Sequence, residues 1–260
     1  MLLRPDGEGS VLAMGQASHA WISGQLARAW GNARFAAPEP FEEVCLGAEQ
    51  HDVGMTLWDL EPQRHPGTGL PRQFFEMDRR THLALWTEAP RRMLTQSRYA
   101  ALLVSLHGTG LYERVLPDTP DPDVAAAIQA YLDGQRALQA GLAAEVGADP
   151  AQLRRNQALV AVWDELSLVL CRRVGAHTVG GVPIRGDART DIAVHDRGDH
   201  VVLDPWPLGP PELTVQAEGR RLTGTFADDA ALQAALAGAA HVAVRITLRP
   251  AEGSPDAPSG

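Results

Sequence analysis

Gly47-Ala48-Glu49-Gln50-His51-Asp52-Val53-Gly54-Met55 sets an imidazole beside a carboxylate at the end of a run of small residues. The pattern predicts a helix over 41–53 that carries the pair near its C-terminus, with Gly54 in the left-handed conformation that ends a helix. Adjacent helical side chains diverge by about 100° and do not touch, yet an ion lying beside that edge is within reach of both. A second dipeptide of the same kind, His195-Asp196, shows that the pair alone says little. Its weight comes from the rest of the helical part.

His19 lies on a helix predicted over 16–30, where it shares a stripe with Ile22, Ser23 and Leu26. His82 opens a helix predicted over 81–95, His107 closes one over 96–107, and Asp164 sits inside one over 150–173. A polar group on such an apolar face is costly without a partner. Imidazole and carboxylate together suit Mn, Fe, Co, Ni or Zn, and do not favour the soft ions that select thiolates. His19, His51, Asp52, Asp164, His107 and His82 are the candidate metal ligands. Asp52, Glu49 and Arg28 are the candidate catalytic groups. Glu49 is equally compatible with an exposed face, and Arg72, Arg79, Arg80, Arg91 and Arg92 are alternative cations in the helical part.

The chain has 260 residues, 45% apolar and 21% charged, with a formal charge of −9, enough to bury a full-sized core. No apolar run is long enough to span a bilayer, and the polar start lacks a signal peptide's apolar centre, so a cytoplasmic protein is expected. The two cysteines, Cys45 and Cys171, sit in apolar helical contexts and read as buried free thiols of a reducing compartment. No basic cluster exceeds two adjacent arginines, which argues against duplex nucleic acid as a partner. Every Lys+Arg position is Arg, which excludes a Walker phosphate loop and a Schiff-base lysine. A phosphate clamp must therefore use the planar fork of Arg. No Gly-x-Ser-x-Gly elbow occurs.

The order His19 … His51-Asp52 … Asp164 resembles the HD-domain superfamily of metal-dependent phosphohydrolases over roughly residues 15–172. His51-Asp52-Val53-Gly54 is similar to that family's His-Asp followed by an apolar residue and Gly, and Asp164 to its final Asp. The phrases Gln50-His51-Asp52 and Ser105-Leu106-His107-Gly108 resemble an uncharacterised bacterial branch, a domain of unknown function. The resemblance implies a mainly α fold and one or two divalent transition-metal ions. It also implies a hydrolase acting on a phosphorylated small molecule through metal-activated water. Two rival readings are an HD-type di-iron oxygenase and a non-catalytic binding or regulatory protein on the same scaffold.

The Pro- and Gly-rich stretch 54–80 is long for a loop and follows the candidate ligands directly, so it is a candidate cover for the site. Further helices are expected over 124–146, capped by Asp123, and over 228–238. After Gly175 the pattern turns to strands at 200–204, 212–216, 222–226 and 242–248, with Glu218-Gly219-Arg220 as a hairpin turn. The expected plan is therefore an HD-like helical domain over 1–174, a small antiparallel β appendage over 175–250 and a disordered tail over 251–260. The β part is a candidate lid or the contact of a homodimer.

Overall fold

The computed structural model describes residues 1–254. Two strands open the chain, β1 (Leu2–Pro5) and β2 (Ser10–Met14). Seven helices follow: α1 (Gln16–Ala29), α2 (Phe41–Glu49), α3 (Thr56–Leu60), α4 (Arg79–Met93), α5 (Arg98–Val115), α6 (Pro122–Val146) and α7 (Pro150–Arg172). The chain then returns to strands, with β3 (Ala176–Pro183), β4 (Arg189–Asp196), β5 (Val201–Asp204) and β6 (Leu213–Thr223). It closes with α8 (Asp229–Gly238) and β7 (His241–Pro250). The last segment of the expected tail, residues 255–260, lies outside the described residues, and Ala251–Ser254 form a turn.

These strands make one seven-stranded mixed sheet in the order β1-β2-β6-β7-β5-β4-β3, antiparallel except where β5 runs parallel to β7. A mainly helical HD-like bundle with a small C-terminal antiparallel sheet is therefore not the fold. The N-terminal residues 2–14 supply two strands, and the helices are inserted between β2 and β3. The expected boundary at 174/175 does separate α7 from β3, but the sheet draws on both sides of it.

Alternation along the strands explains the layers. Leu12 and Met14 join Val215 and Ala217 in the main core under α1, α2 and α7, whereas Ala13 and Leu222 face the opposite way, against Leu232 and Leu236 of α8. Trp163, Leu166 and Leu170 of α7 are buried in the main core, each contributing about 1.5–3 kcal/mol by leaving water. A second helical core lies among α4, α5 and α6, around Trp86, Leu102, Tyr112, Ile128 and Leu132.

The junction of sheet and helices is specific. β2 pairs with β6 only at residues 220–223, so the rest of that edge of β6 needs other partners. The chain passes from β2 directly into α1, and two side chains of α1 take over the ladder. Ser18 Oγ donates to Glu218 O and accepts from Glu218 N, both at 2.7 Å. Gln25 Nε2 donates to Gln216 O at 2.8 Å while its Oε1 accepts from Gln216 N at 2.9 Å. These bonds fix α1, and with it His19, against the sheet.

Several local expectations change, two of them for steric reasons. Glu218-Gly219-Arg220 is not a hairpin turn but the middle of β6, paired along β7. Gly219 serves close packing there, since a Cβ would lie 2.8–2.9 Å from Leu12 and Met14. α2 ends at Glu49, so His51 and Asp52 occupy a turn, and Gly54 lies in the 3-10 segment Val53–Met55 rather than at a left-handed cap. A Cβ on Gly54 would lie 2.6 Å from the Leu85 carbonyl oxygen and 2.9 Å from Ala89 Cβ, which explains why only glycine fits against α4. α5 runs on past Gly108 to Val115, and α6 is capped by Asp121, with Asp123 in its first turn.

Gly54→Ala is expected to cost about 1–3 kcal/mol because the clash is with backbone, lowering the melting temperature by several degrees. Gly141→Ala, where a Cβ meets nothing within 4 Å inside an exposed turn of α6, should instead stabilise by about 0.5–1 kcal/mol. Thermal denaturation followed by circular dichroism checks both, and equal melting temperatures for the two variants would contradict the packing account.

Candidate functional site

Four segments far apart in sequence meet over the second half of α5. α1 contributes Gln16 and His19, the turn after α2 contributes His51 and Asp52, α5 contributes His107, and α7 contributes Asp164 and Ser167. His19 Nε2 lies 2.8 Å from Asp52 Oδ2. His51 Nε2 lies 3.3 Å from Asp164 Oδ1 and 3.7 Å from Asp52 Oδ2. The other oxygen of Asp164 is 3.5 Å from His107 Nε2. One donor atom each from His19, His51 and Asp164 fall within 4.8 Å of one another, and both imidazoles are buried.

The outer partners of the rings settle which nitrogens face inward. His51 Nδ1 lies 2.8 Å from Ala48 O, and a carbonyl only accepts, so that nitrogen carries a proton. Ser167 Oγ spends its own proton on Asp164 O, so it accepts from His19 Nδ1 at 2.9 Å. When its ring is neutral, His51 Nε2 is then a lone pair turned toward Asp52 and Asp164, while His19 Nε2 faces Asp52 Oδ2 and lies 3.3 Å from Gln16 Nε2. His51 Nε2 is fully buried and has no hydrogen-bond partner. Gln16 Nε2 donates to Asp52 Oδ2 at 3.2 Å and orients that carboxylate.

Such a cluster has a deficit of positive charge, and the titration tendencies report it. Burial depresses the His51 pKa, but Asp52 and Asp164 outweigh it and carry the group up to about 9. Burial acts to raise Asp52 and Asp164, yet the neighbouring imidazoles, His51 foremost, hold both below the usual carboxylate range. His107 behaves differently: burial first, then His51, lower it to about 4, so its ring is neutral at pH 7.

The cluster floors a cleft of about 350 Å³. Its walls are largely apolar, with Phe74, Trp86 and Leu111 among them, and two guanidinium groups, Arg79 and Arg114, reach it. Phe74 and Phe75 come from the 61–78 loop, so part of the loop expected to cover the site does line it. His82 also lines the cleft but has both nitrogens engaged. Its Nε2 accepts from Trp86 Nε1 at 3.2 Å, and its Nδ1 makes a short hydrogen bond with the Tyr112 hydroxyl. Burial lowers His82 to about 4, and it stands outside the group formed by His19, His51 and Asp164. Glu49 and Arg28 are turned to each other in an ion pair of 2.5 Å between α2 and α1, away from the cleft-lining set. Gln16, Ser167 and Arg114 escaped the sequence reading. The first two sit three residues from His19 and Asp164, a helical spacing that could have flagged them as neighbours on the same face.

Residues 1–224 match a family described as "Protein of unknown function (DUF3891)", and the chain belongs to that family. No curated protein and no solved structure matches it. Membership of the HD-domain superfamily is set aside on two grounds: the family matched is this one, and the seven-stranded sheet replaces the helical bundle that the resemblance implied. No helix among the described residues is long and apolar enough to cross a membrane.

The charge balance predicts a pH signature in metal-free protein. The His51 pKa is raised by folding, so its contribution to stability is complete below the unfolded value near 6.5 and is lost as pH rises toward about 9. Chemical denaturation of metal-free protein should therefore show stability falling from pH 6.5 to 9. His51→Gln should flatten that slope, and an unchanged slope in the variant would assign it elsewhere.

Proposed function

We propose that His19, His51, Asp52 and Asp164 hold a divalent transition-metal ion and that the protein is a metal-dependent hydrolase of a phosphorylated small molecule. The observation that carries this reading is the buried, unpartnered His51 Nε2, within 4.8 Å of the donor atoms of His19 and Asp164. A lone pair fixed in that direction by the Ala48 carbonyl suits a metal ligand, in which the second ring nitrogen donates to an outer acceptor. Imidazole and carboxylate donors fit Mn, Fe, Co, Ni or Zn.

A bound divalent ion supplies Lewis acidity and lowers the pKa of its water toward neutrality. The remaining work falls to the chain. Arg79 and Arg114, which line the cleft, would neutralise phosphoryl oxygens with their planar forks. Gln16 keeps Asp52 in place, and Ser167 keeps His19 in one tautomer. The apolar walls keep the cleft at low dielectric, where these charges act more strongly. Glu49 and Arg28, paired with each other, have no part in this scheme.

A second reading has its own observation. Asp164 Oδ2 lies 3.5 Å from His107 Nε2, so Asp164 could bridge two ions. With iron at both positions, oxygen-dependent oxidation would be the reaction, and oxygen uptake by iron-loaded protein separates it from hydrolysis.

Elemental analysis of purified protein should find about one transition-metal ion per chain, or two if His107 takes part, and Asp164→Ala should reduce that by tenfold or more. Phosphate release from an aryl phosphate should track the metal content, while Arg79→Gln should chiefly raise KM. Negligible metal in wild-type protein refolded with each candidate ion would falsify the proposal.

A further inference from the structure

Away from the cleft, the fold collects positive charge that the sequence keeps dispersed. Arg154 and Arg155 of α7 and Arg185 and Arg189 of the β3–β4 hairpin line a cavity of about 470 Å³. It shares no lining residue with the His/Asp cleft. Two carboxylates, Asp149 and Asp187, face four guanidinium groups there, in a chain whose formal charge is −9.

The arginines are anchored without being neutralised. Arg155 donates through Nη1 to Ile184 O at 2.6 Å and through Nη2 to Ala36 O at 3.4 Å. Arg185 donates through Nε to Ala33 O and through Nη2 to Asn32 O, both at 2.9 Å. Arg189 donates through Nη1 to Gly181 O at 2.6 Å. All these acceptors are neutral carbonyls. Asp149 spends Oδ1 on the backbone N–H of Gln152 at the start of α7. Burial, and then the like charges of Arg185 and Arg189, depress the Arg155 guanidinium, so three cations face one another, and none of them is ion-paired to a carboxylate among the described residues.

We propose that this cavity is an anion-binding site, separate from the cleft, for a small molecule carrying two or more linked phosphoryl groups. The guanidinium fork matches the spacing of phosphoryl oxygens and binds them bidentately. Several forks around one volume suit several linked groups better than a single charge. The cavity size and the two acidic residues in its wall fit a compact ligand rather than a continuous polyanion.

Calorimetric titration of the metal-free full chain with inorganic pyrophosphate tests this site. A single saturable event is expected. The exposed double variant Arg154→Gln/Arg189→Gln should weaken it at least about tenfold without changing the melting temperature. Asp187→Asn should tighten it by removing a repelling charge. Asp164→Asn, which alters the cleft alone, should leave it unchanged. Absence of binding, equal affinity in the double variant, loss in Asp164→Asn, or equally tight binding of orthophosphate would each overturn the proposal. Because Asp164→Asn and the arginine variants report on different cavities, this result is independent of whether the cleft holds a metal.

Discussion

Two carboxylates, Asp52 buried and Asp164 half-buried, set against two buried imidazoles whose outer nitrogens are already spent form the constraint on which the site depends. A charge in a low-dielectric interior is tolerated only with a partner, and here the partner must be a cation or a pair of protons. His19 and His51 could each supply a proton, at the cost of becoming buried imidazolium ions. A single divalent ion would satisfy both carboxylates and both lone pairs at once. The arrangement is thus held in tension between protonation and metallation, and either state removes the same electrostatic deficit.

What holds the four groups together is the route of the chain through the sheet. Because β2 leads straight into α1, and α1 substitutes Ser18 and Gln25 for the missing neighbour of β6, the helix bearing His19 cannot slide along the sheet without breaking backbone pairing. α7 packs beside α1 through Trp163 and Leu166 and brings Asp164 to His51. The turn after α2 is held from the other side, where Gly54 admits the backbone of α4 at a distance that any side chain would block. His19, His107 and Asp164 thus stand on helices, His51 and Asp52 on a tightly packed turn, and the 61–78 segment contributes the wall that contains Phe74 and Phe75.

Much of the site could be read from the residues, and much of the fold could not. His19, His51, Asp52, His107 and Asp164 were visible as polar interruptions of apolar helical patterns, and the structure brings them together. Helices α1, α4, α6, α7 and α8 fall close to their expected places because each carries its own periodicity. β5, β6 and β7 fall on strands expected at 200–204, 212–216 and 242–248, but the extent and order of the sheet were illegible for the opposite reason. β1 and β2 are short, and their partner β6 lies some two hundred residues away, so no local pattern announces the pairing. Gly219 read as a turn because glycine is ambiguous between bending and close approach. The HD resemblance failed for a related reason: four ligand-type residues in order specify a pocket, but they do not specify what the helices carrying them pack upon.

His51 and His82 show how narrow the difference is between a candidate ligand and a structural imidazole. His51 is fully buried and meets the cleft-lining Asp52 and Asp164, whereas His82 is half-buried and lines the cleft itself. What separates them is the second nitrogen. His82 receives the Trp86 N–H on one side and holds the Tyr112 hydroxyl on the other, which leaves it no lone pair to offer. His51 gives one nitrogen to a backbone carbonyl and keeps the other empty, pointed at carboxylates. Sequence records which residue is present but not which neighbours occupy its two faces. The assignment of a ligand therefore rests on counting partners around each ring, and by that count His51 is the centre of the site and His82 part of its wall.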